Sequence, residues 1–323
     1  MAKTRVGLHL DVHGLRWTSI KYTRSGVMLL EKYARKSSEK VYEERAISAE
    51  VQAFAREIKG NGLLGAKTVI GLANHQFIVR YVTVPAVPDQ YLRSLIQNEL
   101  GHSIHLPFED ALFDAVAVPP LTEIDPKMTT VCLIAAPREY VDQSVELAKQ
   151  AQLQPVAVDI PPLALYRFAS LGYEKACFYT LIHVEMSEMS ISIFRQGFLY
   201  FYRNLELMWD ERYDSSSEQF ASMLVSEIER MINFFLMSFS GISLQKNVYL
   251  LYSQFTMHEF LRNSLTNDGV SEFVDLRDLP YTLSPKDQTQ KWKVSASDWR
   301  QIVARTPVSE FVSLGLACKE VAR

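Results

Sequence analysis

Apolar and polar positions alternate at the start of the chain, and the pattern predicts strands. Val6, Leu8 and Leu10 lie on one side, a turn falls at Val12-His13-Gly14, and residues 17–22 run back. Ser25-Gly26 turns the chain again, so residues 5–36 read as three short strands joined by two tight turns. About 170 residues later the pattern returns. Residues 178–185, 187–194 and 198–205 alternate in the same way, with a turn at Arg195-Gln196-Gly197. Each ribbon is followed by a helix and a further strand. This is an internal duplication, and it predicts a two-lobed protein with a cleft between equivalent halves.

Between the ribbons, residues 48–59 predict a helix with Ser48 as N-cap, stopped by Gly60-Asn61-Gly62, and 67–72 a buried strand. Residues 79–84 form a strand ended by Pro85 and Pro88. A helix over 89–103 puts Leu92, Leu95, Ile96 and Leu100 on one face. Strands at 112–118 and 129–135 and a helix over 137–150, with Pro137 in its first turn, complete a block that reads as a small inserted α+β domain. The proline-bounded stretch 119–126 reads as an exposed turn. Residues 155–159 return to the first lobe and a short helix at 161–170 links onward.

After the second ribbon comes the longest helix. It has capping-box spacing at 215–218 and ends near Gly241, with Phe220, Leu224, Ile228, Met231, Ile232 and Phe235 as a core stripe that needs no ligand to explain it. A strand at 247–251, a helix at 257–265, a polar surface loop at 281–297 and a closing helix at 308–317 follow.

Composition narrows the function classes. Hydrophobic residues make up 48% and charged residues 22%, and the net charge is -3, which describes a globular protein without a basic patch; no nucleic-acid partner is expected. Cys132, Cys177 and Cys318 are far apart in apolar runs and read as buried thiols of a reducing compartment. The start lacks the apolar region of a signal peptide, and no run approaches the roughly 18 apolar residues of a spanning helix. A cytoplasmic protein without direct membrane insertion is expected, held at any membrane by something else.

Strand, strand, strand, helix, strand is the core order of ribonuclease H-like and actin-like lobes. The middle of the chain carries a more specific likeness in Glu99, Pro107-Phe108-Glu109-Asp110, Arg138, Tyr140-Val141, Leu153, Pro155 and Ala157-Val158-Asp159. Together with the closing SLGLA at 313–317, these resemble the type IV pilus assembly PilM family of the actin-like ATPase superfamily; FtsA is a more distant relative.

The resemblance implies an α/β fold of two actin-like (ribonuclease H-like) lobes around a cleft, with a small α+β domain inserted in the first lobe. The corresponding boundaries are 1–74 for the first lobe, 75–155 for the insertion and 156–176 for the return. Residues 177–305 make the second lobe and 306–323 the closing helix. It further implies a scaffold recruited to the inner face of the cell membrane. That scaffold binds the short N-terminal cytoplasmic segment of a bitopic PilN-like membrane protein and contacts other pilus assembly proteins. ATP with magnesium enters by family resemblance only.

The positions matching the family's phosphate motifs are degenerate. An actin-like lobe opens with Asp-hydrophobic-Gly, small residues and a base. The glycine admits phosphates to the backbone amides and the Asp holds a metal-bound water. Here the Asp position is His9 and the Gly position is Asp11, and only Gly14 and Arg16 keep the pattern's character. In the second motif the Asp is again a histidine, His183, and the Gly is an acid, Glu185, with Ser187 following. The adenosine motif aligns with 249–255, which lacks glycine. A carboxylate where phosphate oxygens would sit repels them by on the order of several kcal/mol. No cofactor and no ATP hydrolysis are expected; the alternative is an active actin-like ATP-binding assembly protein.

His9 with Asp11, and His183 with Glu185, are each two apart on a strand and so share a side. Facing each other, two His and two carboxylates would suit a divalent transition metal. A polar lining with pairings of its own is the weightier reading, and no metal site is assigned. His102 and His105 sit at a helix end without further ligands, and no nucleophile elbow occurs. A third reading, the cytoplasmic part of a type II secretion protein of the same superfamily, would expect the chain to continue into a membrane helix.

Overall fold

A computed structural model describes residues 3–11, 14–22, 28–36, 44–169, 178–185, 188–207, 218–239, 242–244, 247–253, 258–267, 271–275, 303, 306 and 308–319. The predicted loop at 281–297 and the capping residues 215–217 lie outside them. The chain divides into two compact units.

The first unit comprises Met1–Phe77, Arg138–Tyr173 and Pro280–Arg323. Its sheet joins β1 (Lys3–Asp11), β2 (Gly14–Tyr22), β3 (Met28–Lys36), β4 (Lys67–Gly71) and β8 (Gln154–Asp159) in the order β3-β2-β1-β4-β8. The ribbon pairs are antiparallel, while β1, β4 and β8 run parallel.

The strand period sorts the two faces. Val6, Leu8, Leu15 and Trp17 pack with Phe54 and Ile58 of helix α1 (Glu44–Gly60) and with Ala148 of α3 (Arg138–Gln150). The opposite face receives the C-terminal segment, as Thr18 Oγ1 lies 2.7 Å from Ser313 Oγ. Ser313 belongs to α7 (Phe311–Ala317), which also touches α4 (Pro161–Ala169) where Gly315 meets Ala164.

Three local expectations are corrected. Helix α1 begins at Glu44, so Ser48 lies inside it; Glu44, Arg45 and Ala46 are good helix formers and extend the helix past the expected cap. Its stop stands as expected: Gly62 has φ +68 and its amide donates to Lys59 O at 3.1 Å. The closing helix opens with a short 3-10 turn, Val308–Glu310, before α7. In the inserted segment, α2 (Asp89–Glu99) ends four residues early. Leu100 turns extended and Gly101 takes φ +83, which terminates the ladder.

The second unit comprises Ile78–Pro137 and Glu174–Leu279. Helix α3 packs on the first unit's sheet, so that unit resumes at Arg138, whereas the sequence reading set the return at residue 156.

Within the second unit, β9 (Phe178–Val184), β10 (Glu188–Arg195), β11 (Phe198–Glu206), β12 (Val248–Ser253) and β13 (Glu272–Asp275) form a sheet ordered β11-β10-β9-β12-β13. This repeats the order of the first sheet strand for strand, and the duplication read from the two ribbons is present. Helix α5 (Glu218–Ser238) lies on this sheet, with Phe235 ring centroids 6.3 Å from Phe178 and 5.9 Å from Phe201. Helix α6 (His258–Leu265) packs beside α5. No helix among the described residues is long and apolar enough to cross a membrane.

The inserted segment folds as a three-stranded antiparallel sheet, β5 (Ile78–Pro85), β7 (Met128–Pro137) and β6 (Ala111–Val118), in that order. Helix α2 covers one face through Leu92 and Ile96 against Val84, Phe113, Val131 and Leu133. The other face carries Cys132 beside Tyr81, and the sheet lies against β11, whose Tyr200 hydroxyl donates to Pro119 O at 2.8 Å.

Burial pushes the Cys132 thiol up to about 11, with the Tyr81 hydroxyl pulling it back and Asp114 adding to the rise. Burial takes Cys318 to about 12 against the pull of Arg167 and Arg5. At pH 8 roughly one Cys132 in a thousand is thiolate. Native protein treated with iodoacetamide at pH 8 is therefore expected to leave Cys132 and Cys318 unmodified, and both should react after denaturation, as read site by site by peptide mass mapping; Cys177 lies outside the described residues. Rapid native alkylation of Cys132 would mean that this sheet opens in solution.

Candidate functional site

The first phosphate-motif match sits at the tip of the β1–β2 hairpin. Asp11 pairs with Gly14, and Gly14 has φ +125, a conformation that favours glycine. His9 and Arg16 are cross-strand partners. The His9 ring is buried against Gly71, where a Cβ would lie 3.2 Å from its Cδ2. Arg16 is 1% exposed, and its Nη1 donates to Ser309 O at 3.1 Å. The motif's basic side chain is thus engaged with the segment leading into α7. The side chain of Asp11 lies outside the described residues.

The second match sits at the end of β9. His183 and Glu185 do share one side, as their two-residue spacing predicts, and both are 2% exposed. His183 Nε2 lies 3.2 Å from Glu185 Oε1, and the imidazole ring is 4.6 Å from that of Tyr252 on β12. The Glu185 amide donates to Glu188 O at 2.9 Å; Ser187 lies outside the described residues.

A second buried carboxylate follows, in which Glu188 Oε2 accepts from Asn204 Nδ2 at 3.1 Å. Burial, and then that carboxylate, hold the Tyr202 hydroxyl well above its usual range. Strand β12, which aligns with the adenosine motif, is buried along its length.

Among the described residues no three His, Cys, Asp or Glu side chains gather as a cation site. His102 and His105 are exposed in the turn after α2.

The sequence reading passed over one charged cluster in the first unit. Asp159, at the end of β8, is ion-paired with Arg167 of α4 and lies 3.1 Å from Lys319 Nζ. Its Oδ1 accepts the Ile160 amide at 2.9 Å. Arg167 Nη1 donates to Gly315 O at 3.0 Å, and Arg5 donates to Lys319 O, so the cluster ties β8, α4 and β1 to the end of α7. Burial alone would raise the Asp159 pKa, but Arg167 and Lys319 outweigh it and hold the carboxyl below its ordinary value. Asp159 belongs to the Ala157-Val158-Asp159 run already singled out, but nothing local points to Lys319.

The family described as type IV pilus assembly protein PilM matches residues 10–207. Among solved structures the chain is similar to the PilM-PilN type IV pilus biogenesis complex. The identity is 21% with a TM-score of 0.67, and the match covers 97% of each chain. It is also similar to the cytoplasmic domain of EpsL, an inner membrane component of the type II secretion system of Vibrio cholerae. That match has 10% identity and a TM-score of 0.50, over 98% of this chain and 96% of that one. No curated protein sequence matches the chain. The mixed α/β architecture with several sheets is the actin-like ATPase fold.

Proposed function

The chain belongs to the PilM family of type IV pilus assembly proteins, and we propose that it acts there as a cytoplasmic scaffold that does not hydrolyse ATP. It is recruited to the inner face of the cell membrane by holding the cytoplasmic tail of a PilN-like bitopic protein. The partner class comes from the similar PilM-PilN complex. An extended tail peptide would dock through backbone hydrogen bonds, with side-chain pockets giving selectivity.

One observation carries the nucleotide part of this reading. Glu185, where the family's second phosphate motif has a glycine, places a buried carboxylate 3.2 Å from His183. A nucleotide's phosphates do not fit such a site, since like charges in a partly desolvated pocket repel by on the order of several kcal/mol. The burial of Arg16 against Ser309 O supports the same reading, because that guanidinium already has a structural acceptor.

The test is isothermal titration of the full chain with ATP and Mg²⁺ and, separately, with a synthetic peptide of the N-terminal cytoplasmic tail of a PilN-like protein from the same organism. Micromolar peptide binding is expected, with no saturable ATP heat up to about 1 mM. Micromolar ATP binding would overturn the nucleotide part and favour an active ATP-binding assembly protein. Absence of peptide binding would overturn the partner assignment.

A further inference from the structure

Helix α5 carries apolar surface on both sides. Its inner stripe of Phe220, Leu224, Ile228, Met231 and Phe235 is buried. On the outer side Met223, Phe234 and Met237 are 36%, 51% and 83% exposed. Phe234 is held in place: its ring lies 6.2 Å from that of Phe201, and the Arg203 guanidinium sits 5.2 Å over it. Between Met223 and Phe234 come Glu227 and Arg230, an i, i+3 ion pair in which Arg230 Nε donates to Glu227 Oε2 at 3.0 Å.

The order of these outer residues is self-complementary. From Met223 the steps are four residues to Glu227, three to Arg230 and four to Phe234. Read from either end, the face is apolar, charged, charged, apolar, with the acid and the base exchanged. A two-fold axis perpendicular to the helix, midway between Glu227 and Arg230, sets Met223 against Phe234 of a second copy. The same axis sets each Glu227 against the other copy's Arg230. The matched stretch spans about 17 Å of helix.

We propose that the outer face of α5 is a self-association surface, on which a second copy of this chain docks as an antiparallel helix pair about that axis. Isologous pairing requires a surface complementary to itself. The 4-3-4 spacing with exchanged charges meets that requirement, and the fixed Phe234 ring reduces the ordering cost of association. One helix face is small for an interface, so the dissociation constant is expected on the order of 100 µM. This inference is independent of the nucleotide and PilN-like readings.

Sedimentation of the full chain from about 10 µM to about 1 mM tests it, with the weight-average mass expected to climb from one chain toward two. Glu227→Arg puts a cation opposite Arg230 twice across the axis and should raise the dissociation constant at least about tenfold; Arg230→Glu should do the same with acids. An equimolar mixture of these two variants should regain association, because every cross-axis pair then has opposite signs. Phe234→Glu should also abolish association, with some loss of thermal stability because the ring leaves Phe201 and Arg203, whereas Glu227→Arg tests the surface without that loss. The proposal is overturned by a wild type that stays monomeric to about 1 mM, by association indifferent to Glu227→Arg and Phe234→Glu, or by a mixture that stays monomeric.

Discussion

Gly7→Ala is expected to lower the melting temperature by about 10 °C, one of the largest effects of any single methyl group in this chain. Gly7 lies mid-strand in β1, facing the end of the closing helix. A Cβ there would stand 1.8 Å from Ser313 O and 2.5 Å from Ala317 N, both backbone atoms of α7. No side-chain rotation relieves a clash with backbone, so the helix must move off the sheet. That displaces the Thr18–Ser313 hydrogen bond and the buried Leu314 and Leu316 with it. Overpacking of this kind costs about 3 kcal/mol or more. Gly60→Ala is the control, since nothing lies within 4 Å of its would-be Cβ, and it should change stability by no more than about 1 kcal/mol. Differential scanning calorimetry reads both. A Gly7→Ala protein melting within a few degrees of wild type would mean that α7 does not rest on β1 in solution.

Asp159→Asn should destabilise the first unit by about 3 kcal/mol at pH 7, or about 6–12 °C in melting temperature. The substitution keeps the shape of the side chain but leaves the positive charges of Arg167 and Lys319 without the carboxylate that faces them. The pH dependence separates this from a packing defect. The folded-state pKa of Asp159 is depressed, so its contribution is complete above the unfolded carboxyl's value of about 3.9 and is lost as pH falls through the lower folded value. The stability difference between wild type and Asp159→Asn should therefore be flat from pH 7 to about pH 5 and shrink below about pH 4. Denaturant melts at a series of pH values give the curve. A difference that persists unchanged at pH 3 would show that the loss is not electrostatic.

The two ribbons were legible because a strand announces itself locally. Val6, Leu8 and Leu10 alternate over a few residues, and tight turns such as Val12-His13-Gly14 need particular residues in particular places. The inserted sheet and its helix were legible for the same reason, through the period of Leu92 and Ile96. Helix ends were less so. Ser48 looks like a cap, yet α1 runs past it, because a cap preference of about 1 kcal/mol is easily outweighed by a preceding run of good helix formers. Within the phosphate-motif matches, the shared side of His183 and Glu185 follows from strand period alone, and their contact at 3.2 Å agrees. The tilted contact of His183 with Tyr252 does not follow from it, since β12 joins β9 from about 70 residues away.

By itself, then, the sequence determined the elements, the repeat of the two lobes, the family likeness, and the presence of His9, Asp11, His183 and Glu185 where the phosphate motifs have aspartate and glycine. These are properties of short windows, set by side-chain period, turn chemistry and residue identity. Only the tertiary structure decided what the remaining groups do. It gave Arg16 to the carbonyl of Ser309, 293 residues away, set Gly7 against the backbone of α7, and brought Lys319 to Asp159. It also left the Met223 to Phe234 face of α5 outward. Each of these depends on packing between segments remote in sequence, where a buried charge takes the partner that the fold brings within reach and a glycine is needed only where another backbone comes close.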